Sequence, residues 1–202
     1  MTSLNDPRLL AYTHGGDATP VAPGDKDASE LMDGSLLYPA WYDLGSQPVH
    51  LMSKAELYFI LAEAQLRLGE DATAAFQTAV TASIEEIFDL VGPDYIDKNN
   101  SDVNAYVASL GTPDLKKLFQ QKYLAQCMDE QVETYNDIRR LQAMGESYIT
   151  LTNPMNTQSG INRFPYRLPY GNSAVLGNPN VAAAYGDGFY VYTEKTWING
   201  GK

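Results

Sequence analysis

The segment Tyr38-Pro39-Ala40-Trp41-Tyr42-Asp43 gathers three aromatic rings and a carboxylate into six residues. Sugars present apolar C–H faces beside hydroxyl groups, so a site for them needs flat rings bordered by hydrogen-bonding side chains. Trp41 lies outside any helical stripe, Asp43 can accept from a hydroxyl, and Tyr12 and His14 lie upstream in the same punctuated stretch. Tyr38, Trp41, Tyr42, Asp43, Tyr12 and His14 are the candidate ligand-binding residues. The competing reading is that Trp41 and Tyr42 plug a long loop onto the rest of the protein.

Other chemistry is less well provided for. The two histidines, His14 and His50, have no close Cys or His spacing, which argues against zinc. Gly24-Asp25-Lys26-Asp27 with Glu30 offers hard oxygens but not the twelve-residue order of a calcium loop. Cys127, the single cysteine, falls on an apolar helical stripe and reads as a small buried hydrophobe. There is no GxSxG, GxxxxGK[ST] or GxGxxG element. Adjacent acids such as Glu85-Glu86 and Asp129-Glu130 point to different helix faces, so they make poor acid–base partners for a glycosidase. A catalyst is not expected, and neither is a cofactor. Fourteen basic against twenty-five acidic side chains give a formal charge of -11, which disfavours nucleic acid and anionic membrane surfaces. An uncharged ligand fits better.

The elements that must position these residues are helical. Residues 1–50 and 146–202 are broken by Pro and Gly and read as loops, whereas 51–145 carries helical periodicity. Ser53 with Glu56 forms a capping-box start for a helix over 52–68 that stops at Gly69. Its LYFILA run, Leu57 to Ala62, predicts burial on most sides. A second helix over 71–90 repeats Ala72, Phe76, Ala79, Val80, Ser83, Ile84, Ile87 and Phe88 on one face. The two make an antiparallel pair of tetratricopeptide-like size. Further helices are predicted over 102–110, over 113–128 with Pro113 at the first position, and over 131–144 with Val132, Tyr135, Ile138 and Leu141 buried, ending at Gly145. A short strand over Phe189–Tyr192 is the sole β expectation. The predicted class is mostly α: a core of about five helices wrapped by long loops. On it, Glu63 must be paired to be tolerated on an apolar helix.

Four segments in order resemble the carboxy-terminal part of the SusD/RagB-like outer-membrane nutrient-binding lipoproteins. They are Asn5-Asp6-Pro7-Arg8-Leu9, LMSKAELYFILAEAQLRLG over 51–69, QQKYLAQCMDEQVETYNDIRR over 120–140, and Arg163-Phe164-Pro165-Tyr166-Arg167-Leu168-Pro169-Tyr170 with Asn178-Pro179-Asn180. Gly171-Asn172-Ser173 and Trp197-Ile198 depart from the family's usual pattern. The resemblance implies a helical fold in residues 1–202 and cell-surface capture of an oligosaccharide or other nutrient. It also implies delivery to a SusC-like TonB-dependent transporter in the outer membrane, and membrane attachment through a lipid anchor absent from this chain. The alternative from composition is an intracellular helical scaffold; a glycoside hydrolase comes third.

Overall fold

A computed structural model of the chain describes residues 5–12, 51–91, 100–127, 130–150 and 164–196. Every regular element among them is helical. The chain divides into two compact units, one built from residues 1–20 and 27–138 and the other from residues 21–26 and 139–202.

The first unit is organised around α2 (Lys54–Leu68) and α3 (Thr73–Val91), joined by a short turn and packed along each other. Ser53 Oγ accepts from the Glu56 amide at 3.0 Å, satisfying one of the donors a helix start leaves open. The α3 residue Glu86 contributes from across the pair, its carboxylate accepting from the Ala55 amide at 3.2 Å, where negative charge suits the helix dipole. At the other end Gly69 adopts φ 75, and the Glu70 amide returns to the Gln65 carbonyl, closing the helix in the left-handed manner expected from the sequence. All eight stripe positions predicted for α3 are buried.

Two further helices pack onto this pair, and a third begins in the first unit and ends in the second. α4 (Asn100–Ser109) buries Val103, Tyr106 and Val107 against α3, and α5 (Leu115–Ala125) inserts Leu118 and Phe119 beside α2 and α3. The start of α5 differs from expectation. Asp114 is the cap, accepting from the Lys117 amide at 2.7 Å, and Pro113 precedes it. Lys117 also ties the α4–α5 link by donating to the carbonyls of Leu110 and Thr112. α6 (Gln131–Ala143) starts after α5 has stopped at Ala125, three residues short of the predicted 128, and is followed by Gly145 with φ 78. Its predicted buried side is half right: Ile138 and Leu141 are buried, Val132 is 72% exposed. Cys127 is half-buried rather than buried, and burial pushes its thiol up, which keeps it protonated.

The burial predicted for LYFILA also needs correction. Phe59 and Ala62 are buried, but Leu57, Ile60 and Leu61 are between 43% and 52% exposed. The α2 helix is apolar on two opposite faces, and α3 and α5 cover one of them.

The second unit contains α7 (Asn172–Gly177), α8 (Pro179–Tyr185) and α9 (Tyr190–Thr193), where the sequence predicted loop and a short strand. Asn178 caps α8 by accepting from the Asn180 amide at 3.0 Å, with Pro179 at the first position. The Phe189–Tyr192 segment turns into α9 because Gly188 at φ 71 reverses the chain and Asp187 accepts from the Phe189 amide at 3.0 Å.

Candidate functional site

Of the six candidate ligand residues, Tyr38, Trp41, Tyr42, Asp43 and His14 lie outside the described residues. So do His50 and the acidic loop around Asp25 and Asp27. Tyr12, which ends α1 (Leu9–Tyr12), is 2% exposed, and its hydroxyl donates to the Leu124 carbonyl at 2.9 Å. Its ring is a core group that pins the start of the loop region to the end of α5, leaving no face for a ligand.

Beside Tyr12 sits a polar cluster the sequence did not predict. Arg8 and Asp6 both have fully buried side chains and pair at 2.7 Å. The guanidinium donates from Nε to Asp6 Oδ1 at 3.0 Å, from Nη1 to Ser83 Oγ at 3.1 Å and from Nη2 to Gln121 Oε1 at 2.5 Å. The Tyr106 hydroxyl donates to Asp6 Oδ2 at 2.8 Å and accepts from Gln121 Nε2 at 3.0 Å. Burial would raise the Asp6 carboxyl, but the hydrogen bonds and charge of Arg8, with the Tyr106 hydroxyl, outweigh it and hold Asp6 below the ordinary aspartate range. Burial also pushes Tyr106 up to about 12. A cluster so closed to solvent and so fully bonded is an anchor for residues 6–12.

Other acids are likewise committed. Glu63 pairs with Arg67 one turn away at 2.7 Å, as its burial required, and Asp137 of α6 pairs with Lys122 of α5. Glu56 is raised by burial, with the nearby carboxylates of Glu130, Glu133 and Asp137 adding to the effect and Lys122 opposing it. Among the described residues, no group of three or more His, Cys, Asp and Glu is placed to hold a metal ion.

Among the described residues, a groove and a tyrosine cluster are surfaces that a ligand could reach. In the first unit, an open groove of about 470 Å³ runs between α2, α3 and α4, bordered by Lys54, Gln77, Thr78, Thr81 and Asn104. It offers amides, hydroxyls and an ammonium but no aromatic ring. In the second unit, Tyr170, Tyr185 and Tyr190 form a mutual cluster with ring centres 4.8–5.7 Å apart. The Arg167 guanidinium lies 5.2 Å from the Tyr170 ring centre and 5.3 Å from that of Tyr190, and pairs with Glu194 at 3.6 Å. Tyr170 is 40% exposed, so this cluster presents a ring and a cation to solvent. The density of Tyr around two arginines in RFPYRLPY was its signal in the sequence; the partners Tyr185 and Tyr190 lie too far along the chain for spacing to reveal them.

The family model of SusD-like proteins described as starch-binding and associating with the outer membrane matches residues 1–171. The chain belongs to that SusD-like family. Among solved structures it is similar to a SusD/RagB family protein from Bacteroides thetaiotaomicron, with 39% identity, a TM-score of 0.58, and coverage of 77% of this chain and 36% of that one. It is also similar in fold to a chitin-binding protein, with 22% identity, a TM-score of 0.61, and coverage of 98% of this chain and 47% of that one. The SusD-like chain thus spans less than half the length of these structures. No curated protein matches it. No described helix is long and apolar enough to cross a membrane.

Proposed function

We propose that this SusD-like chain is the carboxy-terminal part of a cell-surface protein that captures oligosaccharide and passes it to a SusC-like TonB-dependent transporter, without catalysis. The observation that carries the reading is the family match over residues 1–171, whose family is described as starch-binding and outer-membrane-associated. The chemistry agrees with it. The buried acids Asp6 and Glu63 are held in ion pairs, and Tyr170 with Arg167 beside it offers the ring and polar group that stacking on a sugar needs. The glycan platform is assigned to Trp41 with Tyr38, Tyr42, Asp43 and His14.

Calorimetric titration of Trp41→Ala and Tyr170→Ala against α-glucan and chitin oligosaccharides tests the assignment. Loss of binding in Trp41→Ala with an unchanged melting temperature supports it. Loss in Tyr170→Ala alone moves the platform to the tyrosine cluster, and unchanged binding in both variants rejects a sugar platform in this chain. Delivery is tested by gentle detergent extraction of the native protein, which should bring down a TonB-dependent transporter; its consistent absence would reject the handover.

A further inference from the structure

Charge is divided unevenly along the chain. Residues 1–138 hold eight Lys and Arg against twenty-two Asp and Glu, and residues 139–202 hold six against three, so a net charge of -14 is followed by one of +3. The two units also hold their cations differently. In the first, Arg8, Arg67 and Lys122 face carboxylates at 2.7, 2.7 and 2.5 Å, which cancels their charge. In the second, cations lie against tyrosine rings: Arg167 on Tyr170 and Tyr190, and Arg139 and Lys195 on Tyr166 at 4.3 and 5.6 Å. A ring holds a guanidinium in place without neutralising it, and the edge of the fork keeps N–H donors for an anion.

Arg167 is set into a prebuilt surface. Its side chain is 26% exposed, and Nη2 donates to the Tyr170 hydroxyl at 3.3 Å. The hydroxyl of the buried Tyr190 accepts from the Tyr170 amide, and Tyr185 braces the exposed Tyr170 ring at 5.0 Å between centres. Glu194 meets the guanidinium at 3.6 Å with half of its side chain in solvent, a contact too long and too exposed to hold the pair closed.

We propose that Arg167 and Tyr170 form a binding site for an acidic saccharide unit, the ring meeting the sugar and the guanidinium its carboxylate or sulfate, with Glu194 as an internal competitor for the same cation. This site rests on the glycan-capture reading and adds to it a second contact, far from Trp41 in sequence, and a substrate class. Two features favour an acidic unit over a neutral one. A sugar carrying an anion presents a C–H face beside a group of charged oxygens, which a ring next to a guanidinium fork matches in both shape and charge. The local excess of positive charge, in a chain that is otherwise acidic, attracts such a unit to this part of the molecule.

Calorimetric titration of the natural polypeptide with oligogalacturonate and with chondroitin sulfate oligosaccharides, beside neutral maltotetraose and chitotetraose, tests the site. Arg167→Gln is expected to weaken acidic binding by at least about tenfold and to change neutral binding by less than about twofold. Glu194→Gln is expected to strengthen acidic binding about two- to fivefold, because the competing carboxylate is gone. This second change alters an exposed group, so it reads the competition even where Arg167→Gln lowers the melting temperature. Raising salt from about 0.05 to about 0.5 M should weaken acidic binding to the parent, and the acidic set that binds more tightly tells carboxylate from sulfate. Acidic binding that is equal in all three proteins, or weaker in Glu194→Gln, overturns the proposal. Binding of the neutral set alone overturns it and leaves the capture reading standing, whereas binding of neither set overturns both.

Discussion

Replacing Arg8 by Met removes the cation from a closed cluster and leaves its partners in place. The structure sets the scale of the effect. Both side chains of the Asp6–Arg8 pair have zero exposure, and the guanidinium also serves Ser83 and Gln121. Met fills much of the stem volume, so the main loss is electrostatic: a buried carboxylate keeps only the Tyr106 hydroxyl and the backbone amide of residue 8. Breaking a buried pair in this way costs about 3–5 kcal/mol, a large share of the roughly 5–15 kcal/mol by which a domain is stable. The pH dependence gives the argument its sign. In the parent, Asp6 is held below its unfolded value, so its contribution is present above the unfolded pKa and lost as pH falls through the folded one. In Arg8→Met, burial, the largest cause, is opposed only by the Tyr106 hydroxyl and the residue 8 amide, so Asp6 is expected to move above its unfolded value and the variant to lose stability as pH rises. The gap between the two proteins is therefore widest near neutral pH and narrows in acid. Urea unfolding followed by circular dichroism at 222 nm, run from pH 7 down to pH 4, measures it. Asp6→Leu combined with Arg8→Met should recover part of the loss, because neither charge is then stranded. A neutral-pH gap under about 1 kcal/mol, or one that does not change with pH, would refute the reasoning.

Phe76→Ala, at a fully buried ring, should cost about 3–5 kcal/mol, whereas Val132→Ala should stay within about 0.5; similar midpoints in urea for the two would contradict the packing. Ser53→Ala removes the acceptor for the Glu56 amide and should cost about 1 kcal/mol, read as a fall in melting temperature that Ser53→Asp largely restores. Gly69→Ala should cost about 1 kcal/mol from backbone conformation alone: φ is 75 there and an added methyl would meet nothing within 4 Å, so Gly69→Asn should be milder.

The long helices were legible because their signals are local. Ser53, Gly69 and Gly145 mark ends by chemistry acting within four residues, and the α3 stripe repeats often enough to fix its face. The α7, α8 and α9 helices have only four to seven residues, too few for a periodic stripe, and their Gly and Pro neighbours read as loop. Asn178-Pro179 was a readable cap, using the rule that misplaced the start of α5 at Pro113. Exposure of the second apolar face of α2 could not be read, since an apolar run states what a helix prefers and not whether a neighbour is there to cover it. The same limit hid the Arg8 cluster. Asp6-Pro7-Arg8 drew notice by resemblance, but its burial depends on Ser83, Tyr106 and Gln121, which the fold brings from three different helices.

Those partners also set an order of events as the chain folds. Arg8 is 75 residues from Ser83 and 113 from Gln121, so the cluster can close only once distant helices have been brought together. The α2–α3 pair draws on neighbouring sequence and forms earlier, with the Arg8 segment as a latch that closes afterwards.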